Sequence, residues 1–158
     1  MNWAYIAGFF DGEGSICFSR RSGSAKNTAM WGVPTVQIVQ CGDGGKSVLE
    51  EIRQFLESKE INGRVDFDAA HLEQKENQPI RRRKAKYRLS VQSRQGVLAF
   101  LRGVMPYTRV KRVLSQDVLR FLTLCPSLQG RMRGNKACLS TKFKYESMFG
   151  GVKCQKIA

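Results

Sequence analysis

Two carboxylates one glycine apart, Asp11 and Glu13, close an apolar segment and are followed at once by Gly14. Across residues 3–12 the side chains recur at helical spacing. Trp3, Ile6, Phe9 and Phe10 make one stripe; Ala4, Ala7, Gly8 and Asp11 make another, stripped of bulk. Acids at a helix C-terminus face the negative end of the macrodipole, so Asp11 and Glu13 are not there to steady the helix. A bound divalent cation would reverse that penalty. Gly8 inside the helix costs about 1 kcal/mol relative to alanine, and close approach of a second helix is the reason to keep it. Gly12 and Gly14 let the chain leave the helix abruptly and enter a strand.

Other chemistries have less to work with. The five cysteines, at 17, 41, 125, 138 and 154, include no C-x-x-C pair, and His71 is the one histidine, so a zinc site has little support. Cys17 and Cys41 fall in strand-like stretches and read as small packing residues. His71 lies in a charged stretch and reads as a surface residue. This cysteine usage predicts a reduced, intracellular setting, cytoplasmic or organellar. The N-terminal residues lack the basic start of a signal peptide, and no apolar run approaches membrane-span length, so a soluble protein without a membrane partner is expected.

Charge says more. Twenty-seven Lys and Arg oppose thirteen Asp and Glu, a formal net charge of +14. A charge so far from zero repels itself in the compact state and suits a polyanionic partner, nucleic acid before an anionic membrane. No basic amphipathic helix with a lipid-facing stripe argues for the membrane.

The elements that must hold these residues follow along the chain. After the first helix the period changes to two over Ser15–Arg21, a strand; a Ser/Gly/Lys-rich turn leads to a second strand from about Val33 to Gln40. Gly42–Gly45 breaks it, and Val48, Leu49, Ile52, Phe55 and Leu56 predict a helix that Asp43 or Ser47 could cap. A third strand holds Val65 and Phe67. Residues 71–84 form a polar excursion, and a fourth strand covers Lys86–Gln92. Ser93 caps a short helix, and Pro106–Thr108 begins a longer one that Pro126 stops. The fold class is therefore α+β: a single αββαββα domain, an antiparallel sheet with helices on one face, in residues 1–124, with 125–158 a basic C-terminal extension of it.

The uncovered sheet face would carry Ser15, Cys17, Ser19, Arg21, Thr35, Gln37, Asp66, Asp68, Lys86, Arg88 and Ser90. Such hydrogen-bonding and basic side chains can read base edges in a major groove, which admits a β-ribbon; a plain solvated face is the alternative. Arg81, Arg82 and Arg83 in the excursion read as phosphate contacts.

The stretch Ile6-Ala7-Gly8-Phe9-Phe10-Asp11-Gly12-Glu13-Gly14, with Tyr5 before it and Ser15-Ile16 after it, resembles the LAGLIDADG signature. The order of elements around it resembles that of LAGLIDADG homing endonucleases over most of residues 1–124. Phe9-Phe10 replaces the aliphatic pair, Gly12 an alanine and Glu13 the second aspartate. The resemblance implies a saddle-shaped sheet and a division of roles. Glu13 ligates the catalytic metal beside the Gly12 carbonyl, and Asp11 stabilises the helix end. Gln40 orients the attacking water, and Lys111 polarises it or steadies charge at the phosphate. Carboxylate, carbonyl and water ligands suit Mg²⁺, with Mn²⁺ possible.

One copy of the motif supplies one centre, whereas cutting both strands needs two. A homodimer joined through Ala4, Ala7, Gly8 and Asp11 is expected. The implied activity is site-specific hydrolysis of double-stranded DNA at a long pseudo-palindromic site by a two-metal route, promoting transfer of an intron or similar element. An RNA-binding intron maturase and a non-catalytic DNA-binding regulator on the same scaffold are the alternatives.

Overall fold

Asn2 opens the first helix: its side-chain oxygen accepts the Tyr5 N–H at 2.9 Å, satisfying one orphan donor of the helix start. In this computed structural model, which describes residues 1–22, 29–73 and 81–124, the helix α1 runs Trp3–Glu13 and buries Ile6, Ala7 and Phe10. At its end Gly14 turns to extended backbone while its N–H still reaches the Phe10 carbonyl. A Cβ there would collide with the Phe10 ring, so the strand can start this close to the helix only at a glycine.

Strand β1 (Gly14–Ser22) pairs antiparallel with β2 (Ala29–Cys41). Helix α2 (Asp43–Glu57) leads back to β3 (Arg64–Asp68). A two-stranded ribbon, β4 (His71–Glu73) with β5 (Arg81–Arg83), intervenes before β6 (Lys86–Val91). Helices α3 (Arg94–Val104) and α4 (Arg112–Leu124) complete the described chain. The main sheet has the order β1-β2-β6-β3, antiparallel throughout. The protein is thus the expected α+β arrangement, with β6 brought between β2 and β3.

A single core lies between the sheet and the helices. Val36, Ile38, Leu89 and Val91 from β2 and β6 meet Leu49, Ile52 and Leu56 of α2, Phe100 and Leu101 of α3, and Phe121 and Leu122 of α4. Trp3 of α1 sits edge-on to Phe55 and Phe100, with centroids 5.2 and 6.2 Å away, and Phe10 meets Phe100 edge-on at 5.4 Å. Each fully buried aliphatic or phenylalanine side chain among them contributes roughly 1.5–3 kcal/mol, and with the partly buried Trp3 they hold α1 against the core.

Three local expectations need correction. The polar excursion contains the β4–β5 ribbon, because backbone ladders form there without any apolar alternation to announce them. Neither Asp43 nor Ser47 caps α2; Gly42, at φ 82°, occupies the N-cap without a side-chain bond. The last helix begins at Arg112 rather than at Pro106–Thr108. The N–H groups of Arg109, Val110 and Lys111 are drawn instead onto the Asp11 carboxylate. Ser93 caps α3 as expected, its hydroxyl accepting the Gly96 N–H at 3.0 Å. Residues 125–158 lie outside the described residues.

Candidate active site and nucleic-acid face

At the C-terminal end of α1, Asp11 gathers the chain that leads into α4. Its carboxylate accepts the Thr108 hydroxyl and the N–H groups of Arg109 (2.7 Å), Val110 (3.2 Å) and Lys111 (3.0 Å). Thr108 is buried, so its hydroxyl needs this partner. Burial alone would push the Asp11 carboxyl up; the donors from Arg109, Thr108, Lys111 and Val110 outweigh it and bring the carboxyl from 3.8 down to about 2. The Lys111 ammonium in turn donates to the Asp11 carbonyl, a natural site for a cation at a helix C-terminus, and lies 5.6 Å from the Phe10 ring centroid. Lys111 therefore stands one residue from Gly12 and two from Glu13 along α1.

Glu13 is the last residue of α1 and is exposed, as is Gly12. No described residue engages the Glu13 carboxylate, in contrast to Asp11. The register Gly14↔Ile38 brings the end of β2 level with the end of α1, and with it Gln40, which is half-buried. Gln40 alternates onto the face of Ile38, opposite to Gln37, and its Cβ abuts Gly45 in the first turn of α2. A Cβ at Gly45 would lie 2.7 Å from it. Gly45 is a position that the sequence reading passed over, since its constraint comes from a strand. Among the described residues no group of three His, Cys, Asp or Glu side chains could hold a metal ion. The donors offered at the end of α1, a carboxylate and a backbone carbonyl, are hard oxygens that fit Mg²⁺ or Mn²⁺.

The sheet register gathers most of the polar residues on one face. Ser15, Gln37, Ser90 and Arg64 form one row across the four strands; Val39, Arg88 and Asp66 form another; Cys41, Lys86 and Asp68 a third; Cys17 pairs with Thr35. Arg64 was missed in the sequence, although it alternates with Asp66 and Asp68. Ser90 is covered, its hydroxyl 3.5 Å from the Arg64 carbonyl. The Cys17 thiol lies 3.7 Å from Gln37 Oε1, linking neighbouring strands on this face. The acids are engaged within the chain: Asp66 with Arg64 at 2.5 Å, and Asp68 with Arg88 at 2.9 Å and Lys86 at 3.4 Å. The register shifts between Phe18 and Arg20, so the alternation that placed Ser19 and Arg21 with Cys17 is interrupted there. The side chains of Ser19, Arg21, Arg81, Arg82 and Arg83 lie outside the described residues.

The outer side of α1 differs from the expected stripe. Ala4 and Gly8 are exposed, but Ala7 is turned wholly into the core and Asp11 is committed to residues 108–111. Tyr5 and Gly12 complete the exposed side. Alanine is small enough for either side of a helix, which is why its type did not settle its direction. Among the described residues, nothing beyond the helix's own backbone and the adjacent positions lies within 4 Å of a Cβ built at Gly8 or Gly12.

No family model matches the sequence, and no curated protein does. Solved structures do match. The homing endonuclease I-CvuI, in complex with the I-CreI target in the presence of Mg and with the DNA not cleaved, is 16% identical, with a TM-score of 0.53 over 96% of this chain and 96% of that one. The homing endonuclease I-TnaI is 20% identical, with a TM-score of 0.60 over 94% of this chain and 88% of that one. The LAGLIDADG homing endonuclease I-GzeII, in complex with a DNA target, is 16% identical, with a TM-score of 0.64 over 98% of this chain but 45% of that one, so this chain spans about half its length. At such identities a likeness establishes architecture: the chain has the fold of the LAGLIDADG homing endonucleases.

Proposed function

We propose that this chain is a metal-dependent, site-specific endonuclease for double-stranded DNA, acting as a symmetric pair of copies. The observation that carries the reading is the end of α1. There one acid, Asp11, holds residues 108–111, while the other, Glu13, two residues on, is exposed and engaged by no described residue, and the Lys111 ammonium is fixed on the carbonyl of Asp11. A purely structural helix end has no use for the second acid.

Glu13 and the Gly12 carbonyl would hold Mg²⁺, with phosphate oxygens and a second copy completing the shell. When bound, the ion supplies Lewis-acid activation of water and charge stabilisation at the phosphate. The chain's own residues do the remainder. The Gln40 amide, at the end of β2, orients a water by hydrogen bonding. Lys111 places a fixed positive charge near the developing negative charge of the phosphate, a term that gains strength as water is excluded. Asp11 keeps Lys111 where it is. The polar sheet face of Ser15, Cys17, Thr35, Gln37, Asp66, Asp68, Lys86 and Arg88 is the base-reading surface, without Ser90, which is covered, and Arg81, Arg82 and Arg83 meet phosphates.

Pairing rests on the exposed side of α1. Gly8 and Gly12, one turn apart and open to 4 Å, leave room for a second helix backbone. The test is incubation of the purified protein with a plasmid library carrying randomised duplex sites, with Mg²⁺ and with EDTA. Double-strand breaks at a defined, nearly palindromic sequence, formed only with Mg²⁺, are the expected result. Binding to structured RNA without any DNA cleavage would favour an intron maturase and overturn the reading; sequence-selective DNA binding without cleavage would point to a regulator.

A further inference from the structure

The polar face of β3 and β6 holds three cations and two acids, and the way they pair is uneven. The register sets Asp66 opposite Arg88 and Asp68 opposite Lys86. Asp66 nevertheless turns along its own strand to Arg64 at 2.5 Å. Arg88 is held from the diagonal position instead: its Nη2 donates to Asp68 Oδ2 at 2.9 Å, and Lys86 Nζ lies 3.4 Å from the same oxygen. The two arginines also differ in freedom. The Arg64 side chain is 79% exposed, whereas that of Arg88, on an interior strand, is 33% exposed.

A guanidinium has five N–H donors in a fixed fork. Tied through one nitrogen, Arg88 keeps its remaining donors but loses most of its freedom to choose where they point. A free arginine at the rim of a basic groove swings to the nearest phosphate, and a phosphate contact carries no sequence information. An arginine held upright over a sheet that enters the major groove presents paired donors to the O6 and N7 acceptors of guanine. The carboxylate beside it also repels phosphate oxygens from that spot. Exposed ion pairs are weak in water, but the same pair strengthens once DNA covers the face and lowers the local dielectric. Its effect therefore falls on recognition rather than on folding.

We infer that Asp68 is a specificity-determining residue that acts through Arg88: it contacts no base, and it commits Arg88 to one guanine in each half-site. This rests on the reading of the sheet face as a DNA-recognition surface. On this reading the acids of that face orient basic side chains, whereas an acid that touched a base directly would accept from cytosine.

The experiment is selection of bound duplexes from a randomised library, without divalent metal, so that the profile does not depend on cleavage. Wild type, Asp68→Asn, Asp68→Ala, Arg88→Ala and the Asp68→Ala/Arg88→Ala pair are compared. Wild type should show a guanine preference at one position of each half-site. Arg88→Ala and both Asp68 variants should lower it by about tenfold, the scale of one good base contact. All other positions should stay unchanged, and the double variant should match Arg88→Ala. Affinity for mixed-sequence DNA should hold or rise in the Asp68 variants, which lose a negative charge. The inference is overturned if the Asp68 variants keep the guanine preference, or if they lose a cytosine preference at another position, the mark of direct contact. A wild-type profile that is flat at every position would overturn the recognition reading of the whole face along with it.

Discussion

The Arg109 N–H donates to Asp11 Oδ2 at 2.7 Å, joining positions 98 residues apart in the chain. Thr108, Val110 and Lys111 donate to the same carboxylate. The last turn of the signature helix and the entrance to α4 are in this way one unit, and Lys111 belongs to it through both its backbone and its ammonium.

Asp11→Asn should therefore destabilise the protein by about 2 kcal/mol at pH 7, since an amide cannot accept from all these donors and presents hydrogens of its own. Partial solvent screening holds the figure at this level. The pH dependence has a definite sign. The carboxyl sits at about 2 when folded, below its ordinary 3.8, so its contribution is complete above about pH 4 and is lost as pH falls towards 2. Urea unfolding of both proteins at pH 7, 4 and 2.5 checks this. A stability gap that stays constant down to pH 2.5 would show that the charged carboxylate is not the clamp.

Glu13→Gln should leave the fold unchanged, because no described residue leans on this carboxylate, and should reduce Mg²⁺-dependent cleavage by about 100-fold or more. Binding of the duplex site should be unchanged or tighter, one negative charge having been removed near phosphate. Cleavage at the wild-type rate would remove Glu13 from the site.

Gly8→Leu should keep the monomer folded and abolish pairing. Among the described residues nothing outside the helix's own backbone lies within 4 Å of a Cβ there, so the larger side chain should be tolerated in the monomer and hold a second α1 away. Light scattering should give the mass of one copy for the variant and of two for the wild type. An unchanged dimer would place the contact elsewhere.

Phe100→Ala should cost about 3–5 kcal/mol, the range for a buried phenylalanine. Its ring meets both Trp3 and Phe10 edge-on, so the loss reaches α1 directly. Denaturant midpoints, with tryptophan fluorescence read in a Trp31→Phe background so that Trp3 alone reports, measure it. Cleavage should fall more steeply than stability as α1 loosens, at temperatures where the variant is still folded.

Much of this was legible in the order of residues because local physics is enough for it. Helical and strand periods, the Ser93 cap and the carboxylates on either side of Gly12 depend on neighbours a few positions away. So does the alternation that sets Asp66, Asp68, Lys86, Arg88 and Ser90 on one face. What only the tertiary structure decided depends on contacts across the chain. The bonds from Thr108 to Lys111 delay α4 and occupy Asp11, and no local pattern encodes a partner 98 residues away. Ala7 faces the core because the rest of α1 is anchored by Trp3 and Phe10, while alanine itself prefers neither side. Asp66 stands directly opposite Arg88, yet it is engaged by Arg64 while Arg88 takes Asp68, a choice among partners that alternation alone does not make.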